Sequence, residues 1–520
     1  MEGHSEMSSH ALAAPCPHND DADVDVIVIG GGPGGSTVAT LTAKAGRKVL
    51  LLEREKFPRY QIGESLLPAT VHGIAELLDV RSELEQASFV RKRGGSFRWG
   101  VSPEPWNFLF GFSPRLSGPT SDAYQVERAK FDDILLRNAE RHGVQVREQA
   151  AVKEIIADAE RVRGVRYVDA DGREREVSAR FVVDASGGRS SLHRAVGEHQ
   201  QSEYFRNHAL FGYFHGGKRL PGPDAGNILC AAFDEGWFWY IPLSDELTSV
   251  GAVVDARSTL LRGDDREAVL MGLIDRCDRV RDMLSEATRV TEGMYGELRI
   301  RRDYSYLGER FWKPGMILVG DAACFIDPVF STGVHLATYS ALLAARSINS
   351  IIDDRMSEDR ALAEFEGRYR REYAVFYEFL SAFYQMDQGE DTYFWQARKS
   401  SALPMSDMEA FTTLVAGVSS GEAALGAVSE APQRLADSAK ELAGAVARTG
   451  PMQTESGERM FELFGTRVVQ DVMEEMNQVQ SYTARQAAGV NEQPLLPGGL
   501  VVAGAGLHWA EPDGAVGQSQ

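Results

Sequence analysis

Short apolar runs separated by small-residue turns dominate the first 350 residues, and longer amphipathic stretches follow them. Asp25-Val-Ile-Val-Ile29 reads as a buried strand, and it runs directly into Gly30-Gly-Gly32-Pro-Gly-Gly35. Ser36 to Ala45 then reads as a helix stopped by Gly46, and Lys48-Val-Leu-Leu-Leu52 as a second strand that delivers Glu53 at its carboxyl end. The strand-then-turn design recurs at Phe181-Val-Val-Asp-Ala-Ser-Gly187, which ends in Asp184. It recurs again at Met316-Ile-Leu-Val-Gly-Asp-Ala-Ala323, which carries Gly320 and Asp321. Gln125 to Leu135 reads as the start of an amphipathic helix with Arg128 on its polar side. In a β-rich stretch of alternating apolar residues lies Glu235-Gly-Trp237-Phe-Trp239-Tyr-Ile241-Pro242. On a strand, Trp237, Trp239 and Ile241 share one face as a bulky wall, and Pro242 ends the run or marks an edge.

Beyond residue 350, Phe365, Tyr369, Tyr373, Phe376 or Tyr377, Leu380 and Phe383 or Tyr384 recur at helical spacing and predict one long amphipathic helix whose aromatic stripe is core. Residues 402–456 are rich in Ala, Ser, Gly and Glu with Pro404, Pro432 and Pro451, the composition of loosely packed helices or a partly disordered linker. Met460, Phe461, Phe464, Val468, Val472, Met476 and Val479 mark a further helix. Pro494 to Ala510 is a long uncharged stretch, and its Gly and Pro content favours loop or short strand.

Composition narrows the function classes. The 520 residues include 55 Lys+Arg against 75 Asp+Glu, a net charge of −20 that makes nucleic acid an unsuitable ligand. The four cysteines, Cys16, Cys230, Cys277 and Cys324, are far apart, so neither a disulfide framework nor a metal site is indicated and a reducing compartment fits. The amino terminus lacks a basic start and an apolar core of signal-peptide type, and no apolar run reaches the ~18 residues of a membrane span. A cytoplasmic protein with no membrane or nucleic-acid partner is expected.

The glycine turn carries the first chemistry. Gly30 allows a tight turn, Gly32 lets the backbone approach a pyrophosphate, Gly35 lets the helix pack on the strand, and Glu53 is placed to bond a ribose hydroxyl. Together with the two later strand-turn pieces and Arg128, this order resembles the FAD-dependent aromatic hydroxylase superfamily over roughly residues 24–350. The fold class this implies is α/β: a Rossmann-type βαβ FAD domain interleaved with a β-sheet substrate domain, followed by a mainly helical carboxyl-terminal region. The corresponding division is a disordered leader at 1–22; FAD-binding segments at about 23–95, 120–200 and 310–350; a β-rich substrate module at about 96–119 and 201–309; and a helical region at 351–520 that ends in a tail, 487–520. The resemblance implies that Arg128 lies by the flavin, that Asp321 is near the ribityl chain, and that Asp184 and Gly320 belong to the same site. Because no second GxGxxG is visible, reduced FAD is expected from a separate flavin reductase.

Inside such a scaffold, W-x-W-x-I-P resembles the signature of flavin-dependent halogenases. The wall of Trp237 and Trp239 would keep an organic substrate from the flavin while chloride or bromide still reaches it. The resemblance implies that reduced FAD, oxygen and chloride yield hypochlorous acid, and that a lysine relays it to an electron-rich ring. The matching stretch is Ser88-Phe-Val-Arg91-Lys92-Arg93, and Lys92 is the chemically suitable member, because a guanidinium stays protonated. By charge pattern alone the three would be a solvated basic turn. Asp327-Pro-Val-Phe330-Ser331-Thr332-Gly333 leads into the apolar helix Val334 to Ile348. Ser331 is placed there with the catalytic residues, Thr332 and Gly333 with halide and flavin, and Asp327 with the flavin. Phe330 stands where free-tryptophan halogenases carry a glutamate, which points instead to a tyrosyl or other phenolic ring, free or on an acyl or peptidyl carrier protein. This resembles the branch that contains the chondrochloren-type and chloramphenicol-type pathway enzymes of antibiotic biosynthesis. The Arg299, Arg301, Arg302 and Arg368, Arg370, Arg371 groups are the natural landing points for an acidic carrier. Two rival readings are an FAD-dependent monooxygenase or reductase of the same superfamily, and a non-catalytic flavin-carrying electron-transfer subunit.

Overall fold

The computed structural model describes residues 22–99, 106–112, 121–385, 416–417 and 494–512. Most of the predicted leader, nearly all of the 402–456 stretch and the helix expected around Met460 to Val479 lie outside the described residues. In chain order, the elements that matter for the site begin with β1 (Val24–Ile29), α1 (Pro33–Lys44), β2 (Val49–Leu52), β3 (Val90–Lys92), β4 (Gly94–Arg98), β5 (Ala123–Gln125), α2 (Arg128–Arg141) and β6 (Glu174–Asp184). They continue with β7 (His199–His215), β8 (Ile228–Phe233), β9 (Gly236–Pro242), β10 (Leu247–Asp255), β11 (Arg299–Gly308), β12 (Met316–Leu318), α3 (Thr332–Ile352), α4 (Glu358–Gln385), β13 (Val501–Ala503) and β14 (His508–Ala510).

Two sheets organise these elements. In the first, β12, β6, β1 and β2 are parallel neighbours, and their ends are in register: Ile29 pairs with both Leu52 and Asp184, and Asp184 with Leu318. The Gly30 turn, Glu53, the 185–188 turn and the 319–321 turn therefore leave the sheet along one edge, where open α/β sheets bind ligands. The predicted helix begins three residues early, at Pro33, because proline is well suited to the first helical position. The glycines act as the turn requires. Gly30 has φ +100°, and a Cβ at Gly35 would fall 1.9 Å from the Gly30 carbonyl oxygen.

The second, nine-stranded sheet places β9 between β8 and β10, with Trp239 opposite Cys230 on one side and Gly251 on the other. β9 is thus interior, and Pro242 marks its end rather than a sheet edge. The seat for the Trp239 ring is Gly251, where an added Cβ would come within 2.2 Å of the indole.

α3 is buried over most of its length and packs against α1 and α4. The aromatic stripe of α4 is core: Phe365, Tyr369, Tyr373, Phe376, Leu380, Phe383 and Tyr384 are all buried. The uncharged 494–510 stretch contains the β13–β14 hairpin, as its glycines and proline suggested, within a region otherwise read as helical. It is docked rather than loose. Trp509 is buried with its indole N–H on Ser347 Oγ at 2.9 Å, and its ring lies under the Arg368 guanidinium at 4.5 Å. The Leu500 N–H donates to Glu364 at 3.0 Å.

Candidate active site

Where the turns meet, a groove of about 1100 Å³ runs across the carboxyl edge of the first sheet to the wall of the second. Gly30, Gly32, Glu53, Arg128, Gly320 and Asp321 line one stretch of it, and Asp327, Ser331, Gly333, Trp237, Trp239 and Ile241 the other. The strand alternation expected of Trp237, Trp239 and Ile241 therefore puts all three on the groove, with the two indole rings 6.3 Å apart. A Cβ at Gly32 would meet only the Arg59 side chain, at 3.6 Å, so the backbone stands open for a phosphate group. The Glu53 carboxylate is buried at its strand end and accepts from the Gly31 N–H at 2.6 Å and the Glu55 N–H at 2.8 Å, which holds it beside the turn. This cradle fits a dinucleotide.

Arg128 is not on a polar surface. It is buried at the start of α2, paired with Asp132 at 2.7 Å and donating to the Ile62 carbonyl at 2.6 Å, because it ties the groove wall to the helix. Asp321 reaches the groove, and burial pushes its carboxyl up against the pull of Arg301 and Arg128. Asp184 stands apart from its expected role: its side chain is buried off the groove and accepts from the Ser186 N–H at 3.0 Å, so it braces the 185–188 turn. Gly35 likewise packs helix on strand and does not line the groove.

The 327–333 turn is built by Asp327. Its Oδ1 accepts from the Val329 N–H at 3.1 Å, its Oδ2 accepts from Asn207 at 2.7 Å and from the Tyr384 hydroxyl at 2.9 Å, and the turn closes on Ser331 in the left-handed region (φ 61°) at the head of α3. Ser331 and Gly333 face the groove, whereas the Thr332 side chain is buried away from it, which leaves Thr332 only its backbone for a halide. The Tyr384 hydroxyl also accepts from Trp237 Nε1 at 2.7 Å, so the core helix α4 is fastened to both the tryptophan wall and the Asp327 turn. Phe330 packs against Phe97 at 5.8 Å and Phe383 at 4.7 Å.

Lys92 lies off the groove and is buried, whereas Arg91 and Arg93 on either side are exposed. Arg91 pairs with Asp122, and Arg93 reaches the Pro223 carbonyl at 3.3 Å. Lys92 Nζ donates to the Leu66 carbonyl at 3.0 Å and lies 5.3 Å from the Phe110 ring centre. Burial brings its pKa down to about 7. Its electrostatic neighbour Cys230 sits opposite Trp239 across the β8–β9 ladder.

Sequence reasoning passed over Glu64. It is buried on the groove wall, its Oε1 accepts from the Tyr213 hydroxyl at 2.7 Å, and burial pushes its carboxyl up to about 7. The available signal was a single acid inside Ile62-Gly-Glu-Ser-Leu-Leu-Pro68. Tyr384 and Gly251 were also missed, since nothing local separates them from core filler and a strand glycine.

Residues 25–118 and 113–442 match the family model described as tryptophan halogenase. A tryptophan 2-halogenase of Chondromyces crocatus is 33% identical over 404 residues, which cover 76% of this chain and 75% of that protein. A 1H-pyrrole-2-carbonyl-(peptidyl-carrier protein) chlorinase of Pseudomonas fluorescens is 30% identical over 390 residues, 71% of this chain and 85% of that protein. Among solved structures, the myxobacterial chondrochloren halogenase, a variant of FAD-dependent halogenases, superposes with a TM-score of 0.73 and 49% identity over 94% of this chain and 99% of that one.

Proposed function

The chain belongs to the tryptophan halogenase family and is a flavin-dependent halogenase, and from that premise we propose that it chlorinates a tyrosyl or related phenolic ring through Lys92. The observation that carries this reading is the buried lysine near neutrality, set apart from a flavin groove walled by Trp237 and Trp239.

Gly30, Gly32, Glu53, Arg128, Gly320 and Asp321 would hold FAD, with Asp327, Ser331 and Gly333 toward its reactive end. When bound in its reduced form, FAD supplies the two electrons with which oxygen converts chloride into hypochlorous acid. The backbone amides of Thr332 and Gly333, unpaired at a helix start, offer the halide its site. The tryptophan wall excludes the organic ring from the groove, so oxygen is not transferred to it. The whole reaction takes up one proton, and Glu64, titrating near neutrality on the wall, holds a proton at its carboxyl oxygen for that use. The uncharged Lys92 amine accepts chlorine and passes it to the ring. A separate reductase supplies the reduced FAD.

Phe330 supports a phenol, because an aromatic ring there offers no carboxylate to stabilise a cationic indole intermediate. A carrier-tethered ring is the second reading, favoured by the carrier-protein chlorinase among the relatives. The test is to incubate the purified chain with reduced FAD, chloride or bromide, and free or carrier-bound tyrosine, reading the chlorine isotope pattern in the product. Lys92→Ala should abolish chlorination while peroxide formation persists. Full chlorination by that variant removes Lys92 from the mechanism.

A further inference from the structure

Residues 64–66 run alongside β5 like a third strand: Ser65 bridges Gln125, the Leu66 N–H donates to the Tyr124 carbonyl at 2.9 Å, and the Val126 N–H donates to the Glu64 carbonyl at 2.7 Å. On the other side of β5, β3 pairs Lys92 with Ala123 and Val90 with Gln125. Opposed residues of antiparallel strands, and alternate residues along one strand, share a face. Ser65, Gln125, Ala123 and Lys92 therefore project from one face of this ribbon, and all four are buried, while Arg91 projects from the opposite, exposed face.

This face joins two places already described. Ser65 lines the flavin groove, and Lys92 Nζ bonds to the carbonyl of the very next residue, Leu66. The polar atoms between them are unsatisfied: Ser65 Oγ and Gln125 Oε1 are buried without a hydrogen-bond partner, although the Gln125 amide N–H is used on the Gly226 carbonyl at 3.1 Å. Ala123, the residue directly opposite Lys92, carries only a methyl group. Buried polar atoms are almost always paired, with protein or with an ordered small molecule, so an orphaned hydroxyl and an orphaned carbonyl on one face point to an occupant. The packed rings of Phe97, Phe330 and Phe383, by contrast, offer a polar molecule no hydrogen bond.

We propose that Ser65 and Gln125 form, between the groove and Lys92, a binding site for one small neutral polar molecule, water at rest and hypochlorous acid in turnover. The site is complementary to that acid: the Ser65 hydroxyl donates to its oxygen, and Gln125 Oε1 accepts its O–H. Resting on the lysine reading above, the step it serves balances. The Lys92 nitrogen bonds to chlorine as the chlorine–oxygen bond breaks, and the departing hydroxide takes a proton from the amine and leaves as water.

Isocyanic acid, formed from cyanate, is a probe of similar size with one donor and one acceptor. It adds to a neutral amine through its carbon, and the amine proton moves to the cyanate nitrogen. In the full-length chain, with and without FAD, peptide mass spectrometry should show Lys92 carbamoylated. Ser65→Ala and Gln125→Met should each slow that reaction about tenfold, the loss of one hydrogen bond, and leave exposed Lys218 unaffected. In turnover, both variants should yield less chlorinated product per oxygen consumed. Unchanged Lys92 carbamoylation in both variants overturns the proposal. Ser65→Ala deletes an otherwise unpaired hydroxyl, so it keeps the test open if Gln125→Met fails to fold. It also gives a second readout: an occupied site predicts a lower Tm for FAD-free Ser65→Ala, and a raised Tm, the sign of a dry orphan relieved, counts against the site. If Lys92→Ala still chlorinates, the lysine relay falls, and the cyanate result alone decides whether the binding site stands.

Discussion

Burial without a carboxylate partner among the described residues is what sets Lys92 chemically apart from the other cations near it. With a folded pKa of about 7 against an ordinary value of 10.5, the unfolded chain binds more protons than the native one between those pH values. Lys92 therefore destabilises the fold fully below pH 7, and the penalty fades as pH rises toward 10.5. Lys92→Met should raise thermal stability, with the gain largest below neutrality and lost in alkali; a gain independent of pH contradicts the depressed pKa. Chlorination should peak near pH 7, rising as the Lys92 amine loses its proton and falling as the Glu64 carboxyl loses the one it holds. Two glycines give opposite expectations. A Cβ at Gly333 meets nothing within 4 Å, so Gly333→Ala should fold with wild-type stability yet raise the KM for chloride, its methyl standing in the groove. Gly35→Ala should not accumulate as folded protein, because its Cβ would collide with the Gly30 carbonyl. At this scale the sequence singled out Lys92 through the resemblance of its stretch and the chemistry of an amine, not through its charge pattern. The alternation, with Lys92 buried between exposed Arg91 and Arg93, became visible once pairing with β5 fixed which face of β3 turns inward.

At the scale of elements, α4 connects the site to the far end of the chain. Its stripe has core packing, as helical periodicity predicted, but its last turn places Tyr384 between Trp237 and Asp327, a contact across 147 residues of sequence that no local pattern reports. Its middle holds the β13–β14 hairpin through Glu364, Arg368 and the buried Trp509. Trp509→Ala should cost about 3–5 kcal/mol in urea unfolding, the usual effect of emptying a buried tryptophan site. A loss near zero would mean that the hairpin is not part of the cooperative fold. The strands and turns of the first sheet were legible because each is a continuous apolar run ended by small residues. The docking of residues 494–512 was not, because a glycine-rich uncharged stretch has no periodicity to show what it covers.

For the whole molecule, the net charge of −20 bears on the substrate. Of the two basic clusters that could receive an acidic carrier protein, the one on α4 is consumed internally: Arg368 is buried on Glu364 at 2.5 Å, Arg370 pairs with Glu366 and Arg371 with the Leu495 carbonyl. In the other, Arg299 lies over the Tyr60 ring at 3.8 Å and Arg301 donates to Gln61, which leaves Arg302 outward. Long-range repulsion between two acidic partners should then dominate. At fixed chloride, adding a non-halide salt should lower the KM for a carrier-bound substrate and leave that for free tyrosine unchanged, since screening acts within about 10 Å at 0.1 M. A KM that rises with salt would reveal a basic landing surface. Among the described residues no helix is long and apolar enough to cross a membrane.

The amino-acid sequence by itself determined the glycine turn and its acid, the repeated strand-turn pieces and the W-x-W face, because each is written in a period or a spacing within a few residues, and the resemblance these motifs carry pointed to the flavin-dependent halogenases. Only the tertiary structure decided which cation is buried, that Arg128 belongs to the interior, that Asp184 braces a turn, that Thr332 turns its side chain from the groove, and that Glu64 stands on its wall. Each of these depends on desolvation and on partners from distant segments, and a one-dimensional pattern carries neither.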